Sequence, residues 1–329
     1  MLDGIHVVSI GHSPAIRFCS WTFANNGAQV TVVMSGEPTD RWSDGFLNRG
    51  STVVDDADTG KRGSLIENVD ILIADPDFDW KSLDTVQRPI TGTVHPFGPD
   101  GPYADWHGNE LIYASLGGAS LYTLNRDGTP VYGFGDRYQY LAGVYLYTAL
   151  TSCLLEENPP SSALPQVQVS AYESVVSLLP YLTTQYEYNG SGSTQEQSGP
   201  RYVCKCRDGW VAIYAGRDWS DIAAVLGDPS LEDDERFIGE GNRFANSEAL
   251  NVLFDSWCAD KALEEACALG EKQNVAISAV RSPAFMLDDP ALAARDGWRD
   301  TVVGDRPGRV PVLPYTVNGR RPHHTPEYS

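Results

Sequence analysis

Strand-like and helix-like segments alternate regularly across the first third of this chain. HVVSI, from His6 to Ile10, is a continuous apolar run. Pro14 to Asn26 then carries Ile16, Cys19 and Phe23 at helical spacing, and Gly27 stands just past its end, the usual place for a helix-terminating glycine. QVTVVM (Gln29 to Met34), VDILIAD (Val69 to Asp75) and ITGTV (Ile90 to Val94) are further buried strands. Strand, helix and strand at this spacing predict βαβ units and a parallel sheet, and so an α/β fold.

The middle of the chain turns helical. Leu111 to Leu121 has a helical apolar pattern interrupted by Gly117 and Gly118, and Tyr138 to Leu155 reads as a long apolar helix ended by Glu-Glu-Asn-Pro-Pro. Gln166 to Leu182 starts extended and becomes helical. Asn189 to Pro200 is rich in Gly, Ser and Gln and reads as a linker. Beyond it, YVCKC and WVAIYA flank Arg207-Asp208-Gly209, a hairpin signal. Helices are expected at Trp219 to Leu226 and Glu248 to Leu269, a strand at Val275 to Ser282, and an edge strand in the Pro-containing stretch Gly308 to Tyr315.

Composition narrows the functional classes. At 329 residues and 42% apolar, the chain can bury a sizeable core as one large domain or two. No stretch approaches the ~20 apolar residues that span a bilayer, and the opening segment lacks a signal peptide's basic start and long apolar run. A cytoplasmic protein is expected. A net charge of −20 disfavours nucleic acid and anionic lipid as partners. The six cysteines are scattered except for Cys204-Lys205-Cys206, whose spacing matches neither zinc nor thioredoxin motifs. That pair is expected as strand thiols on opposite faces, and no metal site is expected.

The first strand-turn-helix invites a nucleotide reading, but Gly11-His12-Ser13-Pro14 holds one glycine and no GxGxxG. The second strand ends in Met34-Ser35, without an acid for a ribose. Both features argue against NAD or FAD. His107, between Asp105 and Glu110, reads either as part of a proton-transfer cluster or as an exposed loop residue. Asp136, before the long helix, reads either as its N-cap or as a carboxylate nucleophile at the positive end of the helix. His323-His324 reads as part of a solvated tail.

A series of segments in order resembles the family III, CaiB/BaiF-type, CoA-transferases. LDGIHVVSIG resembles that family's first strand, FANNGAQVTVV its LADLGAxVIKVE passage, and LNRG (Leu47 to Gly50) its NRGK turn. HPFGPDGPYADWHGNELIYASLGG (His95 to Gly118) is similar to xGFGxxGPYADxxGxExxxxAxGG. Arg126 to Pro130, QVQVSAYESVVSLL, RDGWVAI, DDPALAARDGW and GRVPVLPY continue the match to about residue 318.

The resemblance implies a large Rossmann-like domain formed by residues 1–196 with 295–329. It also implies a small α/β domain over 197–294 and an interlocked dimer. It implies transfer of CoA between carboxylic acids through an aspartyl intermediate, with an acyl-CoA and a carboxylic acid as partners. CoA would act as a co-substrate, with no covalently bound cofactor. Racemases of the same family use a His and an Asp instead.

Aligned on Gly143, the family's aspartate falls on Gln139, one helical turn from Asp136, and the racemase histidine falls near Asn109 and His107, with Glu110 near a paired acid. On the CoA side the implied contacts are His12, Ser13, Arg49, Asp75 and Asp77. Ser35, Gly36, Glu37, Asp55, Asp56, Asp58 and Asp77 stand where the family often carries cations. Three functions follow: a CoA-transferase using Asp136, a non-catalytic subunit completed by a catalytic paralogue, or a CoA-independent enzyme or binding protein on the same fold.

Overall fold

The computed structural model describes residues 1–34, 41–55, 62–80, 89–125, 127–156, 166–190, 201–215, 219–303 and 306–322. Ser35, Gly36, Glu37, Asp56, Asp58, His323, His324 and most of the linker stretch lie outside these residues. The chain divides into two compact units, Met1–Thr184 with Ala291–Ser329, and Gln185–Pro290.

The first unit opens with β1 (His6–Ile10), α1 (Pro14–Asn25), β2 (Gln29–Met34), α2 (Arg41–Leu47), β3 (Ser51–Asp55), α3 (Arg62–Ile66), β4 (Ile71–Ala74) and β5 (Ile90–His95). It continues with α4 (Glu110–Leu116), α5 (Arg137–Cys153), β6 (Val167–Ser170), α6 (Ala171–Leu178) and α7 (Pro180–Asn189), whose last residues belong to the second unit. The six strands form one sheet in the order β3-β2-β1-β4-β5-β6, and every neighbouring pair is parallel. The strand order therefore reverses between β1 and β4.

Parallel strands covered on both faces are largely apolar; the central β4, Ile71–Ala74, is apolar and buried at every position, and the inner residues of its neighbours follow the same rule. Val7, Val30, Val32, Ile71 and Ile73 pack with Ile16, Phe23, Leu146 and Leu150 of α1 and α5. The alternate residues Val8, Ile10, Val33, Leu72 and Ala74 pack with Ile66 on the other face. Helices α1 and α5 lie side by side and run the same way. Phe18 stacks on Tyr140 and Phe23 packs edge-on against Tyr147. At Gly143 the backbones approach so closely that a Cβ would overlap the Ala15 carbonyl oxygen. Their N-termini consequently share the edge of the sheet where the strands end.

The double glycine does end α4. Gly118 takes a left-handed φ of 84°, and a Cβ at Gly117 would strike Val175. The C-terminal segment returns to this unit. There β10 (Trp298–Val303) and β11 (Arg306–Pro311) form an antiparallel ribbon, Leu313 packs with Trp21 and Leu47, and Tyr315 donates to Asn26 Oδ1 at 2.8 Å.

The second unit contains β7 (Arg201–Cys206), β8 (Gly209–Tyr214), α8 (Trp219–Leu226), α9 (Glu240–Ala245), α10 (Ser247–Ala259), α11 (Leu263–Lys272), β9 (Ala276–Ala279), α12 (Pro283–Leu287) and the start of α13 (Pro290–Ala294). Its sheet is antiparallel, in the order β7-β8-β9. The helix expected over Glu248 to Leu269 is two helices. Ala262 is extended, with φ −77° and ψ 155°, and the Leu263 N–H is held by Asp208 Oδ1 at 2.8 Å. The side chain of the hairpin turn thereby sets where α11 begins. The CxC expectation is also corrected. Residues two apart on a strand share a face, and Cys204 and Cys206 both point into the core beside Cys258.

Candidate active site at the carboxyl edge of the parallel sheet

Helix α5 starts at this edge, and its opening turn needs acceptors for unpaired backbone N–H groups. Asp136 occupies the N-cap position but makes no side-chain capping bond. Glu110, the first residue of α4, performs that task. Its Oε1 accepts from the Tyr138 N–H at 2.9 Å, and its Oε2 accepts from the Gln139 N–H at 3.3 Å. Asn109 in turn caps α4, its Oδ1 accepting from the Ile112 N–H at 3.1 Å, which fixes the position of Glu110. Glu110 is only 4% exposed. Burial pushes its pKa up, the two backbone hydrogen bonds pull it down, and the Asp136 carboxylate raises it further.

Relieved of capping, the Asp136 carboxylate turns toward Gln139, whose Nε2 donates to Asp136 Oδ1 at 3.3 Å. Gly135, at φ 82°, makes the sharp approach to the helix. Asp136, Gln139 and Glu110 therefore form one cluster. His107 is not joined to it. It is exposed on the loop before α4, and among the described residues no hydrogen bond links it to Glu110 or Asp136.

The second group lies where β1 and β4 end. The Asp75 carboxylate, just past β4, accepts from the His12 N–H at 2.7 Å and the Ser13 N–H at 3.3 Å, both on Oδ2. Ser13 caps α1 through its own Oγ. Burial raises the Asp75 pKa, and these hydrogen bonds oppose that shift. Asp77 is exposed two residues on. Arg49 reaches the Asp300 carbonyl oxygen at 3.2 Å. A further basic residue, Arg17, is buried on α1 with Asp44 and Asn48 Oδ1 as partners. Sequence reasoning missed Arg17, because its partners come from α2 and from the turn after it, and no spacing rule links those segments.

The cluster has a nucleophile-capable carboxylate at a positive helix end, an amide donor beside it and a buried acid behind it. Among the described residues no group of His, Cys, Asp and Glu could hold a metal ion, and no helix is long and apolar enough to cross a membrane.

A family model of CoA-transferase family III matches residues 77–327. A CaiB/BaiF family protein from Brucella suis has the same fold, at 21% identity and a TM-score of 0.82, covering 99% of this chain and 96% of that one. An acyl-CoA transferase of Fusarium pseudograminearum is 24% identical over 339 aligned residues, 90% of this chain and 74% of that protein. A probable CoA-transferase of Mycobacterium tuberculosis is 24% identical over 263 residues, which are 72% of this chain but 31% of that longer protein. Taken with the parallel sheet and the ordered motif series, the match over residues 77–327 shows that the chain belongs to CoA-transferase family III.

Proposed function

We propose that this protein is a CoA-transferase that moves CoA between carboxylic acids through an acyl intermediate on Asp136. The observation that carries this reading is the capping of α5 by Glu110. It leaves the Asp136 carboxylate beside the Gln139 amide instead of on the helix backbone.

In this reading an Asp136 oxygen attacks the thioester carbonyl of an acyl-CoA and expels the CoA thiolate, forming a mixed anhydride. The thiolate then attacks the aspartyl carbonyl, giving an aspartyl-CoA thioester and releasing the first carboxylate. An acceptor carboxylate attacks that thioester and forms a second anhydride. The returning thiolate attacks the acceptor's acyl carbon and restores the Asp136 carboxylate. Charge is conserved at every step, so no external acid or base is required. Gln139 orients the nucleophile through its donor, and the N-terminus of α5 favours negative charge developing beside it.

The test is trapping. The protein is incubated with a panel of acyl-CoA thioesters, quenched with hydroxylamine and mapped by peptide mass spectrometry. A hydroxamate at Asp136 is expected, with transfer reduced at least ~1,000-fold in Asp136→Asn. Full transfer by Asp136→Asn, or an adduct elsewhere, would overturn the assignment.

The active form is proposed to be a homodimer. The support is exposed apolar surface on α4 and α5, at Leu111, Leu116, Val144 and Tyr145, with Phe134 96% exposed just before α5. Light scattering should give twice the 35.9 kDa chain mass.

A further inference from the structure

In open parallel sheets, ligands enter beyond the carboxyl ends of the two strands where the order reverses, and a phosphate commonly settles on the amides that open the first helix. Here the reversal lies between β1 and β4, and the amides are those of His12 and Ser13. The chain itself occupies them. Asp75 Oδ2 takes both N–H groups, and Gly11 leaves the room for it. Gly11 has φ +131°, and a Cβ there would overlap Asp75 Oδ2. Asp75 Oδ1 is buried and has no hydrogen-bond partner. Among the described residues, Arg17 and Arg49 are engaged elsewhere: Arg17 pairs with Asp44 and Asn48, and Arg49 binds the Asp300 carbonyl. Asp77 adds a further carboxylate.

We propose that Asp75 is a specificity-determining residue that fills the α1 anion position, so that this crevice takes a thiol carrier by its neutral pantetheine arm and gains nothing from nucleotide phosphates. The inference rests on the reading of the chain as an acyl-CoA-handling enzyme and deepens it. A phosphate at this edge would have to displace a carboxylate from two backbone donors, at 2.7 and 3.3 Å, and would meet Asp77 as well. The pantetheine arm carries only amides, hydroxyls and a thiol, and incurs neither penalty. Asp75→Asn is informative because its amide oxygen can keep the His12 and Ser13 bonds. Its NH2 then takes the place of the orphaned Oδ1, and the negative charge is removed.

The experiment is calorimetric titration of the full chain with coenzyme A and, separately, with pantetheine at fixed ionic strength. In the wild type the two ligands should bind within about threefold of each other, a ratio that needs no variant. Asp75→Asn should bind coenzyme A at least about tenfold more tightly, with pantetheine unchanged. Asp77→Asn, which leaves the α1 amides as they are, should show a smaller gain. The proposal is overturned by a wild type that prefers coenzyme A by tenfold or more, by a ligand ratio that Asp75→Asn leaves unchanged, by an equal gain in Asp77→Asn, or by no heat with either ligand in any of the proteins. Trapping at Asp136 reads the chemistry separately, so its failure and a failure of the binding ratio are distinguishable.

Discussion

Replacing Glu110 with alanine tests the most specific claim about the site, that α5 is capped from α4. The carboxylate is nearly fully buried and serves two backbone donors, at 2.9 and 3.3 Å. Hydrogen bonds to a charged group contribute about 1.5–3 kcal/mol each, and the longer one belongs at the low end. Keeping that carboxylate ionised in a buried place, the cause of its raised pKa, offsets part of the gain. The net loss in Glu110→Ala should be about 2–3 kcal/mol, within the range of a lost buried network. For a unit of this size that corresponds to a fall in Tm of about 5–10 °C by scanning calorimetry at pH 7. Glu110→Gln keeps an acceptor for Tyr138 but turns an NH2 toward the Gln139 N–H, so its Tm should fall between the two. A Glu110→Ala protein that melts within about 1 °C of wild type would refute the capping argument.

Gly143→Ala should destabilise by about 1–3 kcal/mol in urea titrations, because the new methyl meets the Ala15 carbonyl, which is backbone and cannot rotate aside; an unchanged midpoint would remove the close α1–α5 approach. Burial raises the pKa of both Asp75 and Glu110, so the native state holds more protons than the unfolded chain from the ordinary carboxylate value, about 4, up to the raised native values. The stabilisation linked to this extra proton binding is therefore complete below that interval and is lost as pH rises through it, while the hydrogen bonds to the ionised carboxylates remain. Wild-type stability minus that of Asp75→Asn should fall with rising pH there, and a difference that rises would contradict the sign. Cys19, Cys204, Cys206 and Cys258 are all buried, and burial or neighbouring thiols hold the Cys19, Cys206 and Cys258 thiols above their usual pKa. Iodoacetamide at pH 8 should alkylate these four only after unfolding in guanidinium, and rapid native labelling of Cys204 or Cys206 would count against the placement of the trio.

The alternating segments of the first third were enough to read four strands of the parallel sheet, β1, β2, β4 and β5, while β3 carried no such signal and β6 showed only as an extended start to a helix. A run such as Ile71–Ala74, apolar at every position, has no soluble alternative to burial on both faces. The ordered motifs from Leu2 to about residue 318 were enough to indicate the family. The position of α5 was legible too, but not what caps it. Asp136 has the residue type and place of an N-cap, and only the tertiary structure brings Glu110, 28 residues earlier than Tyr138, onto the same amides. Asp75 was a candidate ligand contact in the sequence. Its actual partners, 62 and 63 residues away, appear only when β1 and β4 pair. The break between α10 and α11 was hidden for the same reason, since Asp208 sets it from a distant turn. Periodicity records which face a residue turns to the core. Which acceptor satisfies which exposed N–H depends on elements that meet only in the folded chain, and in this protein those pairings define the candidate site.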